Sequence, residues 1–318
     1  MLKVRNLSVC FQTEGAPFFA VDRISFDLER GEALGLIGES GSGKTTVALS
    51  LLRLLPSAAR VSGKVELSGE DLLALDAGAL QRVRGRRIAM VFHDPLAALN
   101  PVLSIGTQIA EAVRAHQSVD RRRARDATLE LLRAVGLSAD DARRYSHELS
   151  GGMRQRALIA MSLACRPEVL VADEPTSALD AIVQVGILDL LRAAREERGV
   201  SVLLATHDLG TAARLCGRIA VLYAGRIVEN AATSELLASP RHPYTLGLLR
   251  SLPPPLGSPG PVRLEPIPGS APAPWERPGG CRFRNRCPRA RDDCAREEPE
   301  LIEIDGRQLA CFHPVDAP

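Results

Sequence analysis

A glycine-rich segment, Gly38–Thr45, has the residue types and the spacing that bind phosphate. It fits the pattern G-x-x-x-x-G-K-S/T and lies between a predicted strand and a predicted helix. Glycines let backbone N–H groups converge on phosphate oxygens, and the helix N-terminus adds a favourable dipole. We expect Lys44 to reach the β- and γ-phosphates and the Thr45 hydroxyl to bind Mg²⁺. The predicted triphosphate-binding residues are Gly38, Glu39, Ser40, Gly41, Ser42, Gly43, Lys44, Thr45 and Thr46.

Two consecutive carboxylates, Asp173 and Glu174, follow the apolar run Val169–Ala172. The run predicts a buried strand, and ligands of parallel sheets bind at the carboxyl ends of their strands. We expect Asp173 to hold Mg²⁺ through water and Glu174 to polarise the water that attacks the γ-phosphate. Such a pair is weak evidence alone, but it is strong evidence in a chain that also has a phosphate loop.

A second glycine-containing turn, Leu149–Gly152, precedes a predicted helix with a basic start, Arg154–Arg156. A small residue and glycines at a helix N-terminus make a second phosphate cradle. The segment resembles the signature of ABC-type ATPases. That resemblance implies that Ser150, Gly151 and Gly152 bind the γ-phosphate of ATP held by an opposite subunit, and therefore that the protein dimerises. Ser150 acting as an ordinary helix cap is compatible with this role.

Two further segments resemble the same family and occur in the family's order. Ser177-Ala178-Leu179-Asp180 resembles the D-loop, which implies that Asp180 lies at the dimer interface. Thr206-His207-Asp208 follows an apolar strand and resembles the switch histidine, which implies that His207 contacts the γ-phosphate.

One segment departs from the family's pattern. Val91-Phe92-His93-Asp94-Pro95 resembles the Q-loop, but His93 stands where the family has glutamine. Histidine is shorter, offers a ring nitrogen instead of an amide and titrates near neutral pH. Either His93 substitutes adequately as a catalytic residue, or this chain's own ATP site is slower and the partner's site does most of the hydrolysis.

Adenine usually stacks on an aromatic ring of the N-terminal sheet in this family. The candidates are Phe11, Phe18 and Phe19, and the sequence does not distinguish among them.

Four cysteines cluster near the carboxyl end: Cys281, Cys287, Cys294 and Cys311. In a chain expected to be cytosolic, such a cluster predicts a metal site rather than disulfides. The spacing is wider than that of common zinc ribbons and does not separate zinc from an iron–sulfur cluster.

The whole chain resembles one branch of the family, the ATP-binding subunits of dipeptide and oligopeptide ABC importers. The resemblance rests on the cysteine segment, on His242-Pro243-Tyr244-Thr245 and on Asp94–Pro101, which is similar to the first of the two ATPases in such importers. It implies ATP and Mg²⁺ as ligands, a heterodimer with a second ATPase subunit, two membrane permeases and an external solute-binding protein. It also implies that the four cysteines ligate a [4Fe–4S] cluster, with Zn²⁺ as the alternative, and that peptides are the cargo, with nickel or another small solute as the alternative.

Alternating strand and helix patterns predict an α/β fold with a largely parallel sheet. Leu2–Phe11 and Ala20–Leu28 predict an antiparallel N-terminal sheet, and Thr45–Leu55 predicts the helix after the phosphate loop. Residues 102–165 break the alternation and predict an inserted helical subdomain. The predicted domains are a nucleotide-binding domain (1–252), a Pro/Gly-rich linker (253–278) and a cysteine-bearing extension (279–318).

Composition narrows the classes of function. Of the 318 residues, 45% are apolar, which is enough to form a large core. The net charge is +2, which gives no support for a nucleic-acid partner. No apolar stretch is long enough to span a membrane, and the N-terminus has no signal-peptide pattern, so we expect a cytosolic chain. The resemblance to importer subunits implies that it lies peripherally at the cytoplasmic face of the plasma membrane. A soluble ABC-type ATPase of DNA repair or translation fits less well, because the chain has a single nucleotide domain. An iron–sulfur regulator built on an ATPase scaffold fits poorly with the intact Lys44, Asp173 and Glu174.

Overall fold

The computed structural model describes residues 1–13, 15–177, 179–252 and 265–315. Three parts of the sequence predictions lie outside the described residues: positions 253–264 of the linker, Ala178 of the D-loop segment, and positions 316–318 of the extension.

Strands and helices alternate along most of the chain, which confirms the predicted α/β fold. The strands are β1 (Leu2–Phe11), β2 (Phe18–Leu28), β3 (Ala33–Ile37), β4 (Ala59–Leu67), β5 (Glu70–Asp71), β6 (Ile88–Val91), β7 (Val169–Asp173), β8 (Ser201–Thr206), β9 (Arg218–Tyr223), β10 (Arg226–Ala232), β11 (Ile302–Ile304) and β12 (Arg307–Leu309). The helices are α1 (Lys44–Leu51), α2 (Ala77–Val83), α3 (Pro95–Ala98), α4 (Ile105–His116), α5 (Arg121–Ala134), α6 (Gly151–Ser162), α7 (Ala181–Arg198), α8 (Leu209–Leu215), α9 (Thr233–Ala238), α10 (Pro243–Arg250) and α11 (Asp292–Arg296).

The helix after the phosphate loop is shorter than predicted. The sequence favoured a helix to Leu55, but α1 ends at Leu51. Arg53 adopts a left-handed backbone with φ 52°, a conformation that interrupts a right-handed helix. Pro56 then prevents the helix from resuming.

The chain forms two compact units. The first comprises Met1–Leu2, Asp27–Ala33 and Glu66–Ala205, and the second comprises Lys3–Phe26, Leu34–Val65 and Thr206–Pro318. The predicted division at residues 252 and 278 stays a prediction.

The first unit contains the parallel strands β6, β7 and β8. Val91 pairs with Ala172, and Asp173 pairs with Ala205. Every residue of β7 is buried, as expected for an apolar strand in the middle of a parallel sheet. The register brings the carboxyl ends of β6 and β7 to the same sheet edge, so the segments that follow Val91 and Asp173 begin side by side.

Helices α4, α5 and α6 of the first unit fall within the predicted helical subdomain, residues 102–165. Side chains of Ser104 and Asp120 cap α4 and α5 by accepting hydrogen bonds from backbone N–H groups. Ile105, Ile109 and Val113 form the buried stripe of α4, at the spacing of one helix face.

The second unit holds the strand that precedes the phosphate loop. Here β3 runs parallel to β9, β9 pairs antiparallel with β10, and β10 pairs antiparallel with β12 of the carboxyl-terminal extension. The extension therefore continues the same sheet through Gln308 and Leu309.

The N-terminal strands β2, β1 and β4 are neighbours in a second sheet. The Asn6 amide donates to the Ser25 hydroxyl, and the Arg23 amide donates to the Ser8 hydroxyl. As residue numbers increase along β1, the residues paired with them on β2 decrease in number. The two strands are therefore antiparallel, as the sequence predicted. Within the described residues, no helix is both long and apolar enough to cross a membrane.

Candidate functional site

The phosphate loop connects β3 to α1 in the second unit and encloses its lysine. Lys44 is only 6% exposed, and its Nζ donates to the carbonyl oxygens of Gly38 (2.7 Å) and Glu39 (3.0 Å). The turn after β9 also contacts the loop, because the Gly225 amide donates to the Ser42 carbonyl at 2.8 Å. The loop is thus held in a fixed curve, and the ammonium group lies inside that curve.

Two glycines of the loop leave no room for a side chain. A Cβ on Gly38 would lie 2.1 Å from the Leu222 carbonyl oxygen. Gly43 has φ 108°, and its Cβ would lie 3.0 Å from the Ala20 carbonyl oxygen. Both obstructions are backbone atoms, so only glycine fits these positions.

The Ser42 hydroxyl is buried, and no group among the described residues hydrogen-bonds to it. A buried hydroxyl that lacks a partner costs free energy, and a bound ligand oxygen would satisfy it. This orphaned donor fits the phosphate-binding role that the pattern predicts.

Glu39 is the acidic residue of the loop, and it is held by residues far away in the sequence. Arg286 donates to both Glu39 carboxylate oxygens, at 2.7 and 3.0 Å. The Glu39 amide donates to the Tyr244 hydroxyl at 2.9 Å. Burial lowers the pKa of Arg286, but its hydrogen bonds to Glu39 and Tyr223 outweigh burial and leave that pKa above its ordinary value. Sequence reasoning missed Arg286, since no pattern marks it.

In the first unit, β7 delivers Asp173 and Glu174 as predicted. Asp173 is 1% exposed, whereas Glu174 is partly exposed and adopts a left-handed backbone with φ 49°. The Glu174 amide donates to the Ala205 carbonyl at 2.8 Å, which helps to hold this turn. Non-glycine residues in this conformation are uncommon and cluster at functional sites.

His93 is exposed and lies beside the turn that contains Glu174. Its Nδ1 is 3.0 Å from the Ser177 hydroxyl, and that hydroxyl also donates to the Glu174 carbonyl at 2.9 Å. Ser177 therefore bridges His93, which replaces the family's glutamine, and the turn that contains Glu174, the predicted catalytic carboxylate.

The signature turn lies on the surface of the first unit. Ser150 and Gly151 are exposed, and the Ser150 hydroxyl caps α6 by accepting from the Met153 amide at 3.3 Å. A Cβ on Gly152 would lie 2.6 Å from Cγ1 of Val183. The helix α7 that carries Val183 is capped by Asp180, whose Oδ1 accepts from the Ile182 and Val183 amides. The D-loop aspartate thus fixes the helix against which the signature glycine packs.

His207 follows β8 and is exposed at the start of α8 in the second unit. The next residue, Asp208, caps α8 by accepting from the Gly210 amide at 2.8 Å. The strand-end position matches the sequence prediction.

The aromatic candidates for stacking on adenine form a small group in the second unit. Phe11 and Phe18 stack with ring centroids 5.6 Å apart, and Phe19 is 47% exposed. Trp275 meets Phe18 edge-on at 5.6 Å, and it is 67% exposed. Sequence reasoning missed Trp275, although it is the chain's single tryptophan.

All four clustered cysteines line one cavity in the second unit, together with His242 and Phe283. Burial raises the pKa of the Cys281 thiol to about 11 and that of the Cys311 thiol to about 12. Metal ligation requires thiolates, and a bound cation supplies the charge that stabilises them. The donor set therefore fits a thiolate-ligated metal centre.

Two residues near the cysteines were not predicted: His313, which lines the same cavity, and Asp293. His313 Nε2 lies 2.8 Å from the Asp293 carboxylate. The ligand atoms of Asp293, Cys294 and His313 lie within 4.8 Å of one another. The sequence marks these two residues only by their closeness to the clustered cysteines. Asp293 directly precedes Cys294, and His313 follows Cys311 by two positions.

A phosphate loop, a signature turn, a strand-end carboxylate pair and a strand-end histidine, in this order on a mixed α/β fold, define an ABC-type ATPase. Two family models match the chain. The model described as ABC transporter matches residues 21–177, and the model described as oligopeptide/dipeptide transporter, C-terminal region matches residues 228–294.

Individual proteins agree with this class. The chain is 43% identical, over 99% of its length, to the dipeptide transport ATP-binding protein DppD of Haemophilus influenzae, of which it covers 96%. It is also 43% identical, over 99% of its length, to DppD of Escherichia coli, of which it covers 97%. A solved dimeric structure of an ATP-binding cassette with ADP and Pi superposes with a TM-score of 0.67 at 28% identity, covering 73% of this chain and 99% of that one. The chain belongs to the family of ATP-binding subunits of peptide ABC transporters.

Proposed function

We propose that this chain hydrolyses ATP to drive import of dipeptides or oligopeptides through a membrane ABC transporter. The observation that carries the proposal is the near-full-length similarity to dipeptide transport ATP-binding proteins, in a chain that keeps Lys44, Asp173 and Glu174. Nickel or another small solute is the alternative cargo.

Each residue of the hydrolytic set has a role that its chemistry allows. Lys44 neutralises charge on the phosphates, and the amides of Gly41 and Gly43 and the hydroxyl of Ser42 orient them. Thr45 and Asp173 would hold Mg²⁺, which would supply charge stabilisation to the transferring phosphoryl group. Glu174 acts as the general base toward the attacking water, while His207 contacts the γ-phosphate and His93 lies beside the turn of the base. The remaining proposed ATP-binding residues are Gly38, Glu39, Ser40 and Thr46; Glu39 contributes through its backbone carbonyl, which accepts from Lys44, and not through its carboxylate.

Hydrolysis takes place in a dimer in this proposal. Ser150, Gly151 and Gly152 complete the ATP site of a second ATPase subunit, and Asp180 lies near that interface. The exposure of Ser150 and Gly151 supports this role, because a surface cradle is available to a ligand held by another subunit. Closure around two ATP molecules and reopening after hydrolysis then move the two permease subunits, which receive cargo from an external binding protein.

The protein is proposed to bind peripherally to those permeases at the cytoplasmic face of the plasma membrane. We assign residues 1–252 to nucleotide binding, 253–278 to a linker and 279–318 to a metal-binding extension. In the extension, Cys281, Cys287, Cys294 and Cys311 would hold a [4Fe–4S] cluster, with Zn²⁺ as the alternative. The simplest role for the metal centre is to stabilise the fold of a segment that has few apolar residues to form a core.

The Glu174→Gln variant tests the hydrolytic assignment. We expect ATP binding within about twofold of the wild type and hydrolysis reduced at least about 100-fold, because the amide cannot accept a proton from water. Radiolabelled ATP binding and phosphate release by the assembled transporter measure the two quantities. Glu197→Gln, an exposed change on α7, is the matched control. Wild-type protein that binds no ATP, or a Glu174→Gln variant that hydrolyses at the wild-type rate, would refute the assignment.

Uptake measurements test the cargo. Cells that lack this gene should lose uptake of labelled peptides and regain it with the wild-type gene but not with the Glu174→Gln gene. Loss of nickel uptake with intact peptide uptake would favour the alternative cargo.

Anaerobic purification tests the metal centre. Iron, sulfide and iron–sulfur absorbance are expected in the wild type and in Cys10→Ser, a control outside the cavity, but not in Cys287→Ser. Protein that contains zinc and lacks iron–sulfur absorbance would favour the zinc alternative.

A further inference from the structure

The phosphate loop contains a negative charge at Glu39, although its proposed ligand is a triphosphate. Like charges repel, and the repulsion grows in poorly hydrated surroundings. Glu39 keeps only 26% of its side-chain surface exposed. Without a compensating cation, a carboxylate in this loop would weaken the binding of any polyanion.

Arg286 is the cation that compensates this charge. The guanidinium donates to Glu39 Oε2 at 2.7 Å and to Oε1 at 3.0 Å, and its side chain is 7% exposed. Two parallel charge-assisted bonds fix both distance and orientation. The pair is therefore unlike a solvent-exposed ion pair, which contributes little.

The guanidinium is itself fixed by groups from the linker, from β9 and from the extension. Its Nε donates to the Pro268 carbonyl at 2.8 Å, and Nη1 lies 3.4 Å from the Tyr223 hydroxyl. Its central carbon lies 5.8 Å from the Tyr223 ring centroid and 6.0 Å from that of Phe283, within cation–π range. Arg286 is thus held by contacts with Pro268, Tyr223 and Phe283 in addition to its ion pair with Glu39.

A buried aromatic cluster joins the same two regions. Phe283 is 3% exposed, and its ring lies 5.2 Å from that of Tyr223 and 5.4 Å from that of Tyr244. The Tyr244 hydroxyl in turn accepts the hydrogen bond from the Glu39 amide. The cluster therefore holds the Glu39 backbone through Tyr244 and the Glu39 carboxylate through Arg286. Its member Phe283 lies in the sequence between Cys281 and Cys287.

We propose that Arg286 is a positioning residue for the phosphate loop, through which the cysteine-bearing extension sets the affinity of the loop for ATP. Arg286 neutralises and orients Glu39, and the aromatic cluster holds Arg286 and the Glu39 backbone. The inference rests on the proposed ATP-binding function and adds a residue, supplied by the extension, that acts on the loop without contacting the nucleotide.

A double-mutant cycle that removes the charges of Arg286 and Glu39 tests this inference by equilibrium ATP binding to the full-length protein. Arg286→Gln preserves much of the side-chain length and is expected to weaken ATP binding about tenfold, within the usual range of coupling between sites. KM for ATP should rise in parallel while kcat stays within about twofold, because Arg286 touches neither water nor the γ-phosphate in this assignment. Arg286→Lys should recover part of the affinity, since a single ammonium keeps the charge but loses the bidentate geometry.

The second mutation separates charge from structural damage. Glu39→Gln in the Arg286→Gln background should restore ATP affinity to within about threefold of the wild type, because the uncompensated carboxylate is gone. The loss in Arg286→Gln should also shrink at high salt. A merely structural role for Arg286 predicts no such restoration. Arg284→Gln is the matched control, because Arg284 donates to the Gly279 and Ala295 carbonyls within the extension.

The outcomes distinguish this inference from the proposed function. Wild-type protein that binds no ATP would refute the proposed function. Wild-type binding accompanied by unchanged affinity in Arg286→Gln, or by a loss that Glu39→Gln does not restore, would overturn the role of Arg286 alone. If Arg286→Gln does not fold, the Arg286→Lys and Glu39→Gln single variants decide: the first must bind ATP more weakly than the wild type, and the second at least as tightly.

Discussion

Two glycine-containing turns of this protein precede helices, yet they are built differently. In the phosphate loop, Lys44 is buried and Gly38 is confined by the backbone carbonyl of Leu222. In the signature turn, Ser150 and Gly151 are exposed and Gly152 is confined by the side chain of Val183. The first is enclosed by its own chain and the second is open to solvent. This contrast supports the proposal that the loop holds the chain's own ATP and the turn serves a partner's ATP.

The largest expected effect comes from Gly38→Ala. The added Cβ would meet backbone and the Ser42 hydroxyl, so the loop must change its curve. We expect ATP binding at least about 100-fold weaker, the scale of misplacing a binding group by an ångström. Isothermal titration with ATP measures it.

Replacing Ser42 should not rescue that variant, because the contact with the Leu222 carbonyl remains. Gly217→Ala is the control, since nothing lies within 4 Å of its added Cβ. Restored binding in Gly38→Ala/Ser42→Ala would contradict the view that backbone confines the loop.

Gly152→Ala should act on hydrolysis and spare binding. Its Cβ would meet the Val183 side chain, displacing the signature turn without touching the phosphate loop. We expect ATP affinity within about twofold of the wild type and hydrolysis about 10- to 100-fold slower, measured in the assembled transporter. Val183→Ala should restore much of the rate by clearing the obstruction. If Val183→Ala did not restore the rate, the view that a side chain confines Gly152 while backbone confines Gly38 would be contradicted.

Ser150 separates capping from phosphate contact. Ser150→Ala should cost about 1 kcal/mol in the free energy of unfolding through loss of the cap. Ser150→Asp should keep the cap and the stability, because aspartate also caps helices. It should nevertheless slow hydrolysis about tenfold, since its charge would oppose the partner's γ-phosphate. Chemical denaturation and ATPase assays measure the two effects, and equal ATPase rates for both variants would place Ser150 in a purely structural role.

The smallest expected effect belongs to His93→Gln. Glutamine reaches further and offers both a donor and an acceptor, so we expect the ATPase rate to rise about two- to fivefold, the scale of one neutral hydrogen bond. Single-turnover hydrolysis in the assembled transporter measures it. An unchanged rate would mean that His93 substitutes adequately, and would remove the reason to regard this chain's site as the slower one.

Local sequence predicted the elements that carry the chemistry. The apolar run before Asp173 gave a fully buried strand, and the helix predicted from Thr45 begins one residue earlier, at Lys44, because burial and helix initiation depend on neighbouring residues. The left-handed backbone of Glu174 was not predictable, since glutamate has no preference for that conformation.

Long-range partners were beyond local reasoning. Glu39 and Arg286 are 247 positions apart, and an arginine in a chain rich in arginine carries no distinguishing signal. Likewise, the alternation of apolar residues predicted strands but not that β12 of the extension would pair with β10. Such pairings depend on how the whole unit packs, which no short window records.

The bond between Glu39 and Arg286 has a reciprocal consequence. If the extension tightens the grip of the loop on ATP, thermodynamic linkage requires that bound ATP tighten the attachment of the extension by the same factor. Nucleotide would then act as a stabilising ligand for the cysteine cavity. Bound ATP would therefore be expected to slow oxidation of the thiols that line the cavity.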